Sequence, residues 1–554
     1  MRGRWTPRRT LAALTAVFAV GVALRALPLW QSPLPFNPDG LVHARNVHRT
    51  VRTGHFPLSI MATDDLGFGA LLAVAQSVTG VRSVALAQPL IAVVGTVPAL
   101  VAGALATRTS RHLGLAPDRA RFAGLLATLL LAVEGIYLYR SMPVDEQTPG
   151  LSLLAIAVVS VVAALWSDDR RWFLVALPAL LVVPPLHNLE GFVLGLTLLV
   201  LAGLAALPRT RSQVPASAAL ALAVGFWGYF AAYNIGLARL TTAQLTQTGR
   251  LTAAPGLLVA WLILCFTVVA LVSRSRPRTQ RVLLAAPFLT LFALLAVNAV
   301  SPVFPGTPTT TRGTLLPALP LLVPILVAVW AYPFLHRTTE SNVAVVALAA
   351  GPLALIGFAL SAALTPAYLD TAVRTHWFLH LPVLALAAVG CAVAVRSVAP
   401  DRRRVRTLAV CALVVAVAVS IPVAFAGLSL HPYKGVTTTG EFTASTFAHD
   451  HVEGPWTSDN HLVRITNYHS TNVSGTETPL YDWITNPDAL PPSCPVVTKD
   501  SWVTVGAQFF PQPPATVASD RFRSLHHGSH RVYHGGSTQT LTVLKPRRVS
   551  RSQC

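Results

Sequence analysis

Pro38-Asp39-Gly40-Leu41-Val42-His43 follows closely on the apolar run at residues 11–30 (LAALTAVFAVGVALRALPLW). Together these two strings set the reading of the whole chain. The run is long enough to cross a bilayer as a helix, since about 20 apolar residues match the hydrocarbon thickness. Arg2, Arg4, Arg8 and Arg9 precede it, so Asp39 falls just past the crossing, on the side away from the basic N-terminus. A secretory signal would also begin with basic residues and an apolar run. Here no small-residue cleavage pattern follows and more apolar runs do, which predicts an uncleaved first helix with a cytoplasmic N-terminus.

Working outward, the 554 residues are 53% apolar and only 12% charged, with a mean hydropathy of +0.56. Soluble domains carry about 25% charged residues. About thirteen apolar runs read as crossings: 11–30, 84–106, 122–139, 150–166, 173–186, 191–207, 216–235, 255–272, 282–300, 314–335, 343–364, 381–395 and 408–428. Residues 66–80 are apolar but too short to cross and are expected to lie at the interface. No short alternating segments of the β-barrel kind are visible.

The formal charge of +20 does not mark a nucleic-acid binder. The basic residues are spread over alternate short loops, as in Arg108, Arg111, Arg119 and Arg121, in Arg274, Arg276, Arg278 and Arg281, and in Arg402, Arg403, Arg404 and Arg406. That is the positive-inside pattern of a multi-pass cell-membrane protein. An odd number of crossings puts the C-terminus outside.

From residue 429 onward His, Thr, Pro, Asn and aromatic residues replace the Ala/Leu/Val runs. The chain thus divides into a transmembrane domain, 1–428, and an extracytoplasmic C-terminal domain, 429–554, small and mixed α/β. Strand-like stretches appear at 462–466, 502–505 and 539–544. Cys494 and Cys554 could bridge in an oxidising compartment.

Carboxylates are scarce in this chain, with 22 Asp and Glu in all, so their grouping carries information. Asp39 opens a polar, helix-like stretch holding His43. Such a residue can cap the helix, take a proton from an acceptor, or bind a divalent cation. Asp145-Glu146 lies in the next loop on the same side, beside Arg140, and adjacent acids suit Mg²⁺ or Mn²⁺. Asp64-Asp65 reads as a cap before the interfacial helix. His187 and Glu190 occupy the turn after the Pro184-Pro185 break, where polar groups at membrane depth are costly and often functional. Arg312 begins the tenth crossing on the outer side, against the positive-inside trend, and its guanidinium suits a lipid-linked phosphate.

An acid soon after the first crossing, interfacial helices in the first outer loop, an acid pair in the second, and an outer C-terminal domain together resemble the GT-C glycosyltransferases. The layout is most similar to the catalytic subunit of oligosaccharyltransferase and its archaeal and bacterial relatives. The resemblance implies an all-α polytopic fold with a small α/β outer domain. It also implies an enzyme that moves a sugar or glycan from a polyprenyl-phosphate donor, in contact with membrane lipid, to a glycan, lipid or protein acceptor. By position, Asp39, Asp145 and Glu146 would bind a divalent metal and act on the acceptor, and Arg312 would contact the lipid phosphate. His43, Arg140, His187 and Glu190 are the further candidates for substrate binding.

Two departures narrow this expectation. The Trp-Trp-Asp signature of oligosaccharyltransferases is missing; the nearest strings are Trp456-Thr457-Ser458-Asp459 and Tyr481-Asp482-Trp483. The loop 301–313 also carries no acid. Sequon-directed transfer to asparagine is therefore not implied, and another acceptor fits better. The alternative is a multi-pass permease or a flippase for lipid-linked substrates with an accessory outer domain. It would need polar residues deep in the crossings, and few are found there.

Overall fold

In hydrocarbon every backbone N–H and C=O must find its partner within the chain, so apolar runs of this length become helices. The computed structural model describes residues 6–547 except 167–168, 207–215, 242–248, 251–252, 304–308, 336–339, 398–402, 426–434, 467, 470–474, 510–513 and 537–539. The first helices are α1 (Pro7–Ala26), α2 (Asp39–Thr53), α3 (Leu66–Thr79), α4 (Ser83–Val94), α5 (Val97–His112), α6 (Pro117–Val133) and α7 (Gly135–Ser141). They are followed by α8 (Gln147–Trp166), α9 (Phe173–Leu186), α10 (Asn188–Ala206) and α11 (Ala216–Ala238).

Among the described residues, 11 helices are long and apolar enough to cross a membrane, or 12 with the bent pair α6–α7. The expected count of about thirteen is corrected for two physical reasons. α9 is apolar throughout but only 14 residues long. The third crossing is broken, with α7 turned 64° from α6. Glu134 makes that break: its backbone is extended, and its carboxylate accepts from the N–H groups of Ile136 and Tyr137, capping α7. Gly135 is required at the same point, because a Cβ there would lie 1.8 Å from the carbonyl oxygen of Ser420.

α2 and α3 are not crossings. Gly54 and Gly80 end them in the left-handed conformation, φ +77° and +71°, which costs glycine nothing. α2 is polar on average and packs on α3 and α4. The expected interfacial helix at 66–80 is thus present as α3.

The later residues form a five-stranded sheet in the order β2-β1-β3-β5-β4, with β1 (Trp456–Thr457), β2 (Gly475–Thr476), β3 (Val496–Lys499), β4 (Ser529–Gly535) and β5 (Leu541–Pro546). Val496 pairs antiparallel with Leu544 and Val497 with Val543. Alternation sends the two pairs to opposite faces. Val496 and Leu544 pack with Trp483 and Trp502, while Val497 and Val543 pack with Trp456, Ala444 and Leu41 of α2. Of the stretches read as strand-like, only 539–544 overlaps one. Residues 462–466 are helical within Asn460–Thr466, and 502–503 lie in a 3₁₀ turn. The side chain of Asp459 decides both: it accepts from the N–H of Leu462 and from the indole of Trp502.

This unit sits at the end of α1 remote from the N-terminus. Ser32 Oγ donates to the carbonyl of Thr437 and the Asn37 amide to that of Gly435. Cys494 is disulfide-bonded, but Cys554 lies outside the described residues, and so does the expected pairing.

Candidate functional site

The segment between α1 and α4 supplies two sides of the site. α2 begins at Asp39, which puts His43 one helical turn further on the same face. Leu41, Ala44 and Val47 on its apolar face are fully buried, which fixes the helix and therefore the imidazole. His43 also stands edge-on to Phe68 of α3, centroids 5.0 Å apart. At the N-terminus of α3, Asp65 accepts from the amide of Ala62, closing the turn that brings its carboxylate back beside α2.

The short connection between α7 and α8 supplies Glu146. His43 Nε2 lies 3.0 Å from Glu146 Oε2, and His187 Nε2 lies 3.7 Å from Oε1. His187 Nδ1 in turn pairs with the buried Glu190 at the start of α10. His43, Asp65 and Glu146 each offer one donor atom, all within 4.8 Å of one another.

Asp145 is turned the other way. Its carboxylate pairs with Arg140 Nη1 at 3.0 Å and accepts from the amide of Thr148, so it caps α8. The Arg140 guanidinium lies over the Trp377 ring, 4.8 Å from its centroid, a cation–π contact. Asp39 pairs with Arg464 of the sheet unit at 3.1 Å, both side chains about half exposed. Arg312 is exposed at the first position of the helix Arg312–Ala318. No hydrogen bond or ion pair among the described residues joins it to the carboxylates.

The candidates thus fall into a core of His43, Glu146, His187 and Glu190, a flank of Arg140 and Asp145, an outer rim at Asp39, and a separate position for Arg312. Asp65 belongs to the core, yet the sequence alone reads it as a cap. It does hold the position before α3, but its side chain makes no cap bond to that helix. The available signal was a second acid pair on the same segment between the first two crossings. Arg464 and Trp377 carried no signal, because their sequence neighbours have nothing in common with the site.

Charge crowding follows from this packing. Burial alone would lower the imidazole of His43. Its bond to Glu146 and the charges of Asp65, Glu146 and Asp39 outweigh that and push it up to about 9. Burial likewise opposes protonation of His187, and Glu190, Glu146 and Asp64 raise it to about 9. Glu146, despite burial, is held below the usual carboxylate range by the two imidazoles. Burial, Glu146 and Asp64 push Asp65 up to about 6, against the pull of His43. Burial also raises Asp64, although His187 lowers it. Several buried polar atoms next to this core make no hydrogen bond: Glu190 Oε1, Asn188 Oδ1, Arg140 Nε, Thr63 Oγ1 and both side-chain ends of Gln147.

One imidazole and two carboxylates within reach of a common point fit a divalent cation. The nitrogen donor favours Mn²⁺ or Zn²⁺ over Mg²⁺, which prefers oxygen alone. Asp39 and Asp145, two of the three expected ligands, are not in this group; Glu146 is.

No family model and no curated protein matches this sequence. Solved structures do. The Archaeoglobus fulgidus oligosaccharyltransferase, determined in complex with Zn and sulfate, superposes with a TM-score of 0.51 at 13% identity, over 89% of this chain and 68% of its own. The fold is GT-C-like. Arabinofuranosyltransferase AftD from Mycobacteria matches with a TM-score of 0.49 at 12% identity, over 99% of this chain and 40% of its own. ArnT from Cupriavidus metallidurans, bound to undecaprenyl phosphate, matches with a TM-score of 0.35 at 11% identity, over 96% of this chain and 97% of its own.

Proposed function

We propose that this protein is a membrane glycosyltransferase that takes a sugar or glycan from a polyprenyl-phosphate donor and passes it to an acceptor at the extracytoplasmic face. The observation that carries this reading is the meeting of His43 and Asp65 from the first outer segment with Glu146 from the second, beneath the sheet unit on a GT-C-like bundle. In this reading the units 1–428 and 429–554 act as the catalytic membrane domain and its outer cover.

A polyprenyl-phosphate sugar carries its own activated bond, so the protein must hold the donor, offset the departing phosphate and take a proton from the acceptor. The bond between the anomeric carbon and the phosphate oxygen breaks, the acceptor atom bonds to that carbon, and the lipid phosphate leaves. Asp39, on the rim and open to incoming groups, receives the acceptor proton. Arg312 and Arg140 offset the phosphate, Arg140 through the Nε that makes no hydrogen bond in the protein. Glu146 keeps His43 and His187 in place, and Asp145 keeps Arg140 in place. His43, Asp65 and Glu146 would hold a divalent cation, which supplies further positive charge to the leaving phosphate. The donor lipid enters sideways from the bilayer.

The test uses the full chain in proteoliposomes with a panel of radiolabelled polyprenyl-phosphate sugars and mixed glycan, lipid and peptide acceptors. Labelled product together with free polyprenyl phosphate is expected, and Asp39→Asn and Glu146→Gln should abolish both. Full turnover by both variants sinks the reading. So does movement of the intact lipid-linked sugar between leaflets without bond cleavage, which is the permease or flippase behaviour.

A further inference from the structure

Gln88 stands in the middle of α4, in the apolar stretch Val84-Ala85-Leu86-Ala87-Gln88-Pro89-Leu90-Ile91, and is 1% exposed. An amide in such surroundings is costly unless its hydrogen-bonding groups are paired. Gln88 uses both of its hydrogens and its oxygen. Nε2 donates to the carbonyls of Arg25 and Met142, each at 3.0 Å, and Oε1 accepts from the amide of Phe36, also at 3.0 Å.

These bonds reach three separate pieces of chain. Arg25 lies in the last turn of α1. Phe36 precedes Asp39 by three residues, at the base of the segment that carries His43 and Asp65, and Met142 precedes Glu146 by four. The two segments also touch directly above Gln88. The Phe36 carbonyl accepts from the amide of Val144 at 2.8 Å, and a Cβ on Gly40 would lie 2.9 Å from Val144 Cβ. A buried glutamine serving stability alone needs partners only on its own helix or one neighbour. Here the partners belong to the two connections whose side chains meet 3.0 Å apart as His43 and Glu146. Burial of Leu41, Ala44 and Val47 chooses the face of α2 that turns inward, but hydrophobic contact is non-directional. Hydrogen bonds hold a separation within narrow limits. Gln147, next to Glu146, makes no side-chain hydrogen bond at either end, so it takes no part in this bracing.

We infer that Gln88 is a positioning residue of the transfer site: one buried amide sets the spacing between the segment bearing Asp39, His43 and Asp65 and the connection bearing Glu146. Being buried, it touches neither donor nor acceptor and acts only through those side chains. The inference rests on the glycosyl-transfer reading above.

The experiment compares the full wild-type chain with Gln88→Met, which keeps the length of the side chain and removes all three bonds. Amide hydrogen exchange in nanodiscs, followed by mass spectrometry, should quicken about tenfold or more in residues 34–40 and 142–147 and stay unchanged in the sheet unit. In the transfer assay kcat should fall about 100-fold, with KM for the polyprenyl-phosphate sugar within about twofold of the wild type. Gln88→Glu, neutral when buried, keeps the bond from Phe36 and donates to one carbonyl, so both changes should be present but smaller. It carries the test if Gln88→Met does not fold, and wild-type behaviour of Gln88→Glu in both measurements then overturns the inference. For a folded Gln88→Met, unchanged exchange, faster exchange with full transfer, or a loss confined to KM overturns it. A wild type that transfers no sugar sinks the underlying reading and this role with it, whereas a Gln88→Met protein that matches an active wild type sinks this role alone.

Discussion

Two clusters of buried charge in this molecule invite comparison. In the sheet unit, Lys499 Nζ lies 3.1 Å from Glu441 and 3.2 Å from Asp459. Glu441 also closes a capping box with Thr438, and Asp459 accepts from Trp502 and Leu462. Neither carboxylate is left without a partner atom. At the membrane face, Glu146, Asp65, Asp64 and Glu190 crowd around two imidazoles, and neighbouring polar atoms make no bond. Both clusters are costly to bury. The first is closed on itself and specifies a structure. The second has carboxylate capacity in excess of its cations, which is what a site for a positively charged or proton-donating ligand needs.

The largest effect should come from opening the closed cluster. Lys499→Met leaves two buried carboxylates facing each other and should cost about 3–5 kcal/mol, read as early thermal unfolding and protease sensitivity of the sheet unit. An unchanged melting curve would mean that the first cluster is not structural. Next, Glu146→Gln should lower sugar transfer about 100-fold or more and abolish stabilisation by added Mn²⁺ or Zn²⁺, while costing less stability than Lys499→Met, because Asp65 and Glu190 remain beside the two imidazoles. A collapse of the fold instead would make the two clusters alike.

A smaller effect concerns pH. Cation binding must displace the proton from His43, which is held up to about 9, and needs Asp65 ionised, which is pushed up to about 6. Affinity for Mn²⁺ should therefore rise about tenfold per unit from pH 6 to 9, level off above that, and fall more steeply below pH 6. A flat profile by isothermal titration would remove His43 from the ligand set. The smallest effect belongs to the rim: Asp39→Asn breaks a half-exposed pair with Arg464 and should change stability by less than about 1 kcal/mol, although transfer is lost. A large stability change would turn Asp39 into part of the closed cluster.

The bundle was legible because membrane burial writes itself into composition. Every expected crossing falls on a helix or helix pair, and the miscount arises where a run is short (α9) or broken by one residue (Glu134). Glu146, His43 and His187, which meet in the structure, were singled out because acids and imidazoles are rare near apolar runs; Asp39, singled out on the same ground, pairs with Arg464 outside that group. Asp65 was misread, since a residue before a helix has the same sequence signature whether its carboxylate caps that helix or turns back toward another segment. Lys499, Glu441 and Asp459 were not legible at all, because in a polar stretch nothing separates a buried ionic network from solvated surface charge. Residues 462–466 read as a strand from their apolar and β-branched composition, but Asp459 captures the Leu462 amide and starts a helix.

The bend at Glu134 has a consequence for depth. α7 has 7 residues, about 10 Å of helix at 1.5 Å per residue. Turned 64° from α6, it advances only about 4–5 Å along the α6 axis and spends the remainder travelling sideways. A straight continuation would have raised the loop bearing Asp145 and Glu146 about 5–6 Å further toward bulk water. The elbow instead keeps that loop low against the bundle; under the proposed transfer, the acceptor would come down to the donor rather than the donor being lifted out of its leaflet.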